Sequence, residues 1–459
     1  MNISTTPSHR IGESLVKVLD KNGNPIANKE LVLNQKSHEF LFGCGAFDFV
    51  EWYGYPINED RTKKWLELMN YGTLPFYWGK YEPEEGKPEY QSRKDAADRL
   101  RANNVTIKGH PLCWHTECAN WLMQYPDEVI MDKQLARINR DVTAFKGTID
   151  FWDVINEVVI MPVFDKYDNA VTRLCKRYGR VNLVKEVFAA ARAANPEGTF
   201  LINDFNTSPQ YEKLIEECLD AGVEFSAIGI QSHQHQGYWG EEKLRDVLKR
   251  FGRFGLPIHF TENTLISGEI MPAYIEDLND WQVDEWPTTP EGEARQAKEW
   301  EEMYRILFAD PNIKAITGWD FADGAWLNAP SGLVTVDNRC KPAYNKLKSL
   351  VKGEWWTEGE VIRTNEDGFV AVKGTKGTYE IEGAEGVITL GDQPSNTTVQ
   401  IFQRSGYSII YSGFASLSSM RSAKPVSVSV RITLPTACRT FCQPGNLYAN
   451  ANPSPNFSE

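Results

Sequence analysis

Short apolar runs alternate with amphipathic, charged stretches through the middle of the chain. Eight runs with strand character recur about every 40 residues. They are Phe40–Ala46, Tyr71–Phe76, Val105–Leu112, Phe151–Ile155, Phe200–Asn203, Ala227–Gln231, Pro257–Thr261 and Ile313–Trp319. The segments between them have helical character, for example Asp60–Met69, Lys94–Ala102, Val181–Ala193 and Glu293–Phe308. This alternation predicts an α/β protein with a parallel sheet, and eight units predict a closed (β/α)8 TIM barrel.

An open, doubly wound sheet is the structural alternative for such a pattern. A sheet of that kind usually carries a glycine-rich phosphate loop after its first strand, and the sequence has none there. The pattern therefore favours the closed barrel, which we place at residues 38–352.

Both flanks of this region are rich in β-strand signals. Residues 13–34 contain two alternating runs around an Asn-Gly turn at 21–25, which predicts a β-hairpin within an N-terminal segment 1–37. Residues 353–390 contain further short β runs separated by glycines, and we expect them to join the first segment in a small accessory β-module. Residues 391–459 are rich in Ser, Thr and Pro and have no assigned role. A disordered extension, a few extra strands and an artefact of the encoding sequence stay open for this tail.

Composition and charge exclude several classes of function. The formal net charge is −13, so nucleic acid is not expected as a partner, because phosphate binding needs clustered positive charge. The sequence has no apolar run of about 18 residues, which argues against a membrane span. The eight cysteines show no metal-ligand spacing, and the first residues show no signal-peptide pattern. A cytoplasmic protein and a secreted protein whose signal was replaced by a start Met both fit this N-terminus.

Polar residues and tryptophans follow six consecutive predicted strands. Side chains at these strand ends line the active face of a barrel. From the third strand to the eighth they are His110, Trp114 and His115; Asn156 and Glu157; Asn203, Asp204 and Asn206; Gln231, His233 and His235; Glu262; and Trp319, Asp323 and Trp326.

Two glutamates in this set stand on opposite sides of the predicted barrel mouth. Glu157 follows the fourth strand and Glu262 the seventh, so the pair can flank one glycosidic bond. Such chemistry needs one protonated and one ionised carboxyl group. Asn156 is expected to bind a sugar hydroxyl, His233 to hold Glu262 ionised, and the tryptophans to form a platform for a sugar ring.

Each of these residues also has an ordinary structural interpretation. A single Glu after a strand is usually a helix cap or a surface charge, and Trp319 and Trp326 alone would be core aromatics. His233 and His235 are a conceivable metal pair, but no carboxylate or cysteine pattern joins them. The constellation as a whole, rather than any one residue, favours the catalytic interpretation.

Several motifs of the chain resemble those of glycoside hydrolase family 10, the retaining endo-β-1,4-xylanases. The motifs are WDVINE, GHPLCWH, IQSH, TEN, the pair Trp319/Trp326 and the segment GLVTVDNRCKPAY at 332–344. The resemblance implies that Glu157 is the acid/base and Glu262 the nucleophile of a double displacement. It further implies that His110, Trp114, Asn156, Gln231, His233, Trp319 and Trp326 surround the −1 sugar. No metal or cofactor is implied.

The sequence departs from the family pattern after the second strand and after the seventh. Where the family carries Glu-Asn and then Lys-Trp, this chain has Thr73 to Trp78, and only the Trp is retained. Tyr77 stands in place of the Lys and offers one hydroxyl to the sugar. The family's Thr-Glu-x-Asp is Thr261-Glu262-Asn263-Thr264, and the loop from Trp319 to Trp326 is one residue shorter. These changes leave both glutamates intact and place the departure from the family pattern on the glycone side of the site.

The resemblance implies a polysaccharide or oligosaccharide partner, xylan or a related β-glycan, with neither nucleic acid nor membrane. By the nature of that substrate, a secreted or extracytoplasmic location is expected. Two alternatives stay open: a catalytically weak carbohydrate-binding protein on the same barrel, and a glycosidase for another β-glycoside. The intact Asn156-Glu157 pair argues against loss of catalysis.

Overall fold

The computed structural model describes residues 6–51 and 56–401. Its strands are β1 (Ile11–Asp20), β2 (Glu30–His38), β3 (Leu41–Gly45), β4 (Tyr71–Pro75), β5 (Thr106–His110), β6 (Phe151–Asn156), β7 (Thr199–Asp204), β8 (Ala227–Ile230), β9 (His233–Gln234), β10 (Ile258–Leu265), β11 (Ile313–Gly318), β12 (Glu360–Arg363), β13 (Phe369–Thr375), β14 (Gly377–Ile381), β15 (Ala384–Glu385), β16 (Ile388–Leu390) and β17 (Ser395–Ile401). Its helices are α1 (Glu59–Leu68), α2 (Trp78–Tyr81), α3 (Tyr90–Ala102), α4 (Asp127–Phe145), α5 (Ala170–Tyr178), α6 (Arg180–Ala194), α7 (Pro209–Asp220), α8 (Gly240–Gly252), α9 (Pro290–Ala309) and α10 (Pro342–Ser349).

Eight parallel strands close into a barrel, with helices in the connections between successive strands. Hydrogen bonds join β3, β4, β5, β6, β7, β8, β10 and β11 in this order, and β11 pairs with β3 to complete the ring. The two-residue strand β9 adds a short parallel extension beside the end of β10. The predicted (β/α)8 barrel is confirmed, and its eight strands coincide with the eight apolar runs of the sequence.

The local sequence explains the boundaries and faces of the barrel elements. Helix α8 buries Leu244, Val247, Leu248 and Phe251, the spacing of a single helical face. The side chains of Asn58, Ser208 and Thr289 cap the first turns of α1, α7 and α9 by accepting backbone N–H bonds. The strands are buried on both faces, as expected of parallel strands covered by helices.

The accessory β-module is a sandwich of two four-stranded sheets. One sheet has the order β13-β1-β17-β15 and the other has the order β12-β2-β14-β16. Their inner faces share one apolar core, made of Val16, Val18, Leu31, Leu33, Val370, Val372, Tyr379, Ile381, Ile388, Leu390, Val399 and Ile401. The module is therefore built from both ends of the described chain, as predicted.

The predicted N-terminal hairpin is wrong in its pairing. The turn at 20–25 forms, with a single antiparallel bridge between Leu19 and Pro25, but β1 and β2 then lie in different sheets. Strand β1 pairs with β13 and β17, and β2 pairs with β12 and β14. Burying the alternate apolar residues of both strands in one sandwich core outweighs continuing the local ladder.

The tail assigned to 391–459 contributes a strand to the module. Strand β17 runs parallel to β1, with Ser14 opposite Ser395 and Asp20 opposite Ile401. The alternative of extra strands thus applies to 395–401, and the rest of the predicted tail, 402–459, lies outside the described residues.

A buried arginine attaches the module to the end of the barrel opposite the carboxyl ends of the strands. The Arg10 guanidinium donates to the carbonyls of Phe308, Asp310 and Ile313 at 2.9, 2.7 and 2.8 Å. It also stacks on the Phe40 ring, 4.5 Å from its centroid. Since Ile313 begins β11, the contact lies where the barrel strands start.

Neither a membrane helix nor a disulfide is found in the described ranges. None of the helices there is long and apolar enough to cross a membrane. The described cysteines are free thiols: Cys44, Cys113, Cys118, Cys175, Cys218 and Cys340.

Candidate active site

Glu157 follows β6 at the mouth of the barrel in an unusual backbone conformation. Its φ of 57° is in the left-handed region, which non-glycine residues seldom adopt, and its N–H donates to the Asn203 carbonyl at 2.9 Å. Its side chain accepts three hydrogen bonds: from the Trp114 indole at 2.9 Å, from the Gln231 amide at 3.1 Å and from the Asn156 amide at 3.2 Å. Each donor is a predicted site residue, and together they fix the carboxyl group.

The surroundings of Glu157 favour its neutral form. Burial is the main cause that raises its pKa to about 8, and the charges of Asp204 and Glu262 raise it further. The Trp114 and Gln231 hydrogen bonds act in the opposite direction and lower the pKa. Glu157 therefore carries a proton at neutral pH and is able to donate it.

Glu262 lies within β10 and is only 3% exposed. Its Oε1 accepts the Asn203 amide at 2.7 Å, and its Oε2 is 3.0 Å from Nε2 of His233. Burial alone would raise its pKa, but the His110 charge, the His233 hydrogen bond and the Lys108 charge lower it below the ordinary value. Glu262 is thus ionised at a pH at which Glu157 is still protonated.

Three side-chain amides join the two carboxyl groups in one hydrogen-bonded chain. The Asn203 amide donates to Glu262 and also to the Asn156 carbonyl oxygen at 2.8 Å. The Gln231 amide donates to the same Asn156 oxygen and to Glu157, both at 3.1 Å. The relative position of the two glutamates is therefore set by neighbouring strands rather than by flexible loops.

A buried ion network lies beneath Glu262. Asp153 contacts the Lys108 ammonium at 2.6 Å and Nδ1 of His110 at 2.7 Å through the same oxygen, Oδ2. His110 in turn places Nδ1 3.9 Å from the Glu262 carboxylate. Lys108 and Asp153 are completely buried, so their charges act on Glu262 with little screening by water.

His233 is held between Glu262 and a threonine. Its Nδ1 is 2.9 Å from the Thr264 hydroxyl, which also donates to the Glu262 backbone carbonyl at 3.1 Å. Thr264 occupies the position where the family pattern has an aspartate, so the histidine is positioned here by a neutral partner.

Aromatic rings surround the two glutamates. The Tyr77 ring is 5.6 Å from Trp114 and 5.9 Å from His110, centroid to centroid. The Trp319 ring is 5.3 Å from His110, and Trp326 is 4.8 Å from His233. The structure brings all ten predicted site residues into this one cluster, in which Trp114 and Trp326 are partly exposed and present flat faces suited to stacking a sugar ring.

Two other strand-end candidates, Asp323 and His235, make contacts within the protein rather than with the two glutamates. Asp323 accepts the Lys341 ammonium at 2.8 Å and the Gly332 N–H, which ties together the loop after β11. His235 is fully buried beneath Trp326. The His233–His235 metal pair does not form a ligand group within the described ranges, where the cluster with ligand-type spacing is His110, Asp153 and Glu262.

Sequence reasoning placed Asn203 at a strand end but gave it no role, and it did not select Asp153, Lys108 or Thr264 for the site. Asn203 stands in a strand end that was singled out, but nothing local shows that its amide reaches Glu262. Lys108 and Asp153 carried a usable signal, because a charged residue inside an apolar parallel strand needs a buried partner. Lys108 and His110 are two residues apart and so lie on the same face of β5.

The chain matches a family model described as Glycosyl hydrolase family 10 over residues 76–350. It is 23% identical to an endo-1,4-beta-xylanase/feruloyl esterase of Xylanibacter ruminicola over 303 residues, 57% of this chain and 39% of that protein. It is 25% identical to endo-1,4-beta-xylanase C of Paenibacillus barcinonensis over 350 residues, 66% of this chain and 31% of that protein. The chain thus spans well under half the length of these two relatives.

Solved structures match over a similar extent. The crystal structure of native xylanase 10B from Thermotoga maritima superposes with a TM-score of 0.57 at 21% identity, covering 69% of this chain and 96% of that one. The family-10 structure from Paenibacillus barcinonensis gives a TM-score of 0.57 at 23% identity, covering 69% of this chain and 95% of that one. At these identities the likeness concerns the barrel fold.

Proposed function

Because the chain belongs to glycosyl hydrolase family 10, we propose that it is a retaining, endo-acting β-1,4-xylanase. The observation that carries this proposal is the opposite protonation of two carboxyl groups that one amide chain joins. Glu157 has its pKa raised to about 8 and Glu262 has its pKa lowered. Glycosidases that use a pair of carboxyl groups need this arrangement, and the retaining outcome is the property of the family. The xylanase names of the relatives support xylan as the substrate.

In the first step, Glu262 attacks the anomeric carbon of the sugar beside it. The bond from that carbon to the leaving oxygen breaks, and Glu157 gives its proton to this oxygen. A covalent glycosyl ester forms on Glu262. Asn203 and His233 orient the Glu262 carboxylate for attack, since each contacts one of its two oxygens.

In the second step, Glu157 acts as a base. Once Glu262 is esterified it has no negative charge, so its contribution to the high pKa of Glu157 disappears. Glu157, now ionised, takes a proton from a water molecule that attacks the anomeric carbon. The ester bond breaks, the sugar leaves with its original configuration, and both carboxyl groups return to their starting states.

A second candidate is a glycosidase for another β-glycoside, and the altered segment after β4 favours it. Thr73 and Phe76 are fully buried, and Tyr77 is the residue of this segment that contacts the site aromatics. The glycone side therefore presents an aromatic ring where the family pattern has charged and amide groups. Comparing turnover of aryl xylobioside with that of aryl cellobioside decides between the two sugars: a strong preference for the glucosyl compound would exclude xylan.

The variant Glu157→Ala tests the proposed roles. We expect loss of most activity on xylan, whose leaving group needs a proton, and retention of activity on aryl glycosides with acidic leaving groups. Added azide should restore part of the turnover on the aryl substrate, because it attacks the glycosyl-enzyme without a base. Normal xylan hydrolysis by Glu157→Ala would overturn the assignment. Binding of xylo-oligosaccharides by the wild type without any turnover would instead indicate a carbohydrate-binding protein.

A further inference from the structure

The loop between β10 and α9, residues 266–289, forms an acidic arch beside the active site. It contains six acidic residues and no Lys or Arg: Glu269, Glu276, Asp277, Asp280, Asp284 and Glu285. The base of the arch is attached to the loop after β9. There the Met271 N–H donates to the His235 carbonyl at 3.0 Å, and the Gln236 amide donates to the Ile275 carbonyl at 2.7 Å.

An apolar core packs the arch against the loop after β11, which contributes Leu327 and Ala329. The buried members of this core are Ile266, Met271, Trp286 and Ala329, with Ile270, Ile275, Leu278, Trp281, Val283 and Leu327 packed against them. The Trp286 ring is 6.2 Å from His235, whose ring is 5.0 Å from Trp326 in the site. The arch is thus a packed element that rests on the aromatic groups of the active site.

The tip of the arch is fastened to the opposite side of the barrel mouth. The Lys166 ammonium contacts Asp277 at 2.7 Å and Asp280 at 2.6 Å. Lys166 belongs to the loop that begins with Glu157 after β6. Asp277 also lies near the buried His115 of the loop after β5. Burial lowers the pKa of His115 to about 4, and the Asp277 charge acts against that shift.

The topology places this contact across one end of the cleft. Strands β7 and β8 lie between β6 and β10, so an arch that leaves β10 and reaches Lys166 spans the sector above both strands. Glu157 must reach the leaving oxygen to protonate it, so this oxygen lies on the Glu157 side of the sugar that Glu262 attacks, and the leaving group begins there. The arch consequently faces the sugars beyond the cleaved bond.

We propose that Lys166 latches the arch over the leaving-group side of the cleft and thereby limits the length of the leaving group. This inference rests on the proposed glycosidase function and names a specificity-determining residue for it. An aryl leaving group, a single ring, is accommodated with the latch closed. Xylan, which continues for several sugars past the bond, requires the Lys166 contacts to open.

The latch has the properties of a contact that opens readily. The side chains of Lys166, Asp277 and Asp280 are 41%, 35% and 61% exposed. Ion pairs with this exposure are weak and are screened by salt. The need to open the latch should therefore lower kcat/KM for long substrates by a modest factor, and salt should reduce that factor.

The test compares kcat/KM on soluble xylan with kcat/KM on aryl xylobioside. In Lys166→Ala we expect the ratio of xylan to aryl activity to rise about threefold to tenfold, as the loss of two exposed ion pairs allows. Lys166→Arg keeps the charge and should keep the wild-type ratio. Raising the salt concentration to about 0.5 M should increase the ratio in the wild type and leave Lys166→Ala unchanged.

A lysine far from the arch serves as the matched control. Lys348 on α10 forms a similarly exposed ion pair with Glu67 at 2.8 Å, and Lys348→Ala should leave the ratio unchanged. An unchanged ratio in Lys166→Ala, or an equal rise in Lys348→Ala, would overturn the latch. A wild type that is inactive on both substrates would instead overturn the proposed function, and the inference with it.

Discussion

Replacing Trp114 by Phe removes one hydrogen bond from the proposed acid/base and keeps an aromatic ring in place. The Trp114 indole N–H donates to Oε2 of Glu157 at 2.9 Å and lowers the pKa of this carboxyl group. A hydrogen bond to a charged group contributes about 1.5–3 kcal/mol, and about 1.4 kcal/mol corresponds to one pH unit in a pKa. The Trp114–Glu157 hydrogen bond is only partly buried, so the lower end of this range applies. The pKa of Glu157 should rise by about one, from about 8 to about 9.

The sign of the effect follows from which form the indole stabilises. The N–H donor favours the ionised carboxylate, so its removal favours the protonated acid and keeps it protonated to higher pH. The basic limb of kcat/KM should therefore move upward by about one pH unit on xylo-oligosaccharides, whose leaving group requires the acid. The measurement is a pH–rate profile from about pH 5 to pH 10 for wild type and variant.

A second tryptophan provides a matched control. The Trp121 indole donates to the Glu82 backbone carbonyl at 2.9 Å, a similar bond that does not involve Glu157. Trp121→Phe should leave the basic limb in place. A limb that stays fixed or moves to lower pH in Trp114→Phe would refute the assignment of this limb to Glu157.

Two further predictions concern the amide chain and the attachment of the module. Asn203→Ala removes the donor to Glu262 and should lower kcat/KM on aryl xylobioside by about 10- to 100-fold. Thr261→Val, which removes only the hydroxyl that orients Asn203 at 2.7 Å, should have a smaller effect, and the reverse order would contradict the positioning role. Arg10→Ala removes its three hydrogen bonds to the carbonyls of Phe308, Asp310 and Ile313. It should reduce the free energy of unfolding in urea by about 2–4 kcal/mol, whereas an unchanged midpoint would show that the contact adds no stability.

The barrel was predictable because its strands are signalled locally. Each is a short apolar run, and the eight runs recur at the spacing of a strand–helix unit. The polar residues at the strand ends were predictable for the same reason, since Glu157 and Glu262 interrupt or end such runs. Once the barrel is assumed, its topology brings these residues together without knowledge of any tertiary contact.

The pairing in the module was not predictable from local signals. The Asn-Gly turn before Pro25 favours a hairpin, and the turn does form. The partners of β1 are, however, β13 and β17, which come from the other end of the chain. Which sheet a strand joins depends on the shared core of the sandwich, and alternation along a single strand carries no information about that choice.

The finer features of the site were hidden for a related reason. The role of Asn203 depends on distances between three strands, and the contact of Lys166 with the arch depends on how a 24-residue loop folds back. In the sequence, nothing distinguishes Lys166 from the many other charged surface residues. Only the structure shows that it meets two aspartates from the far side of the barrel mouth.

The proposed nucleophile is the central claim, and release of reducing sugar from soluble xylan tests it most directly. Wild type and Glu262→Ala are assayed side by side, on xylan and on aryl xylobioside, after circular dichroism has shown that both are folded. We predict hydrolysis by the wild type and none by Glu262→Ala on either substrate, because the other carboxyl group of the amide chain, Glu157, is protonated and serves as the acid. Substantial activity in Glu262→Ala would contradict the account.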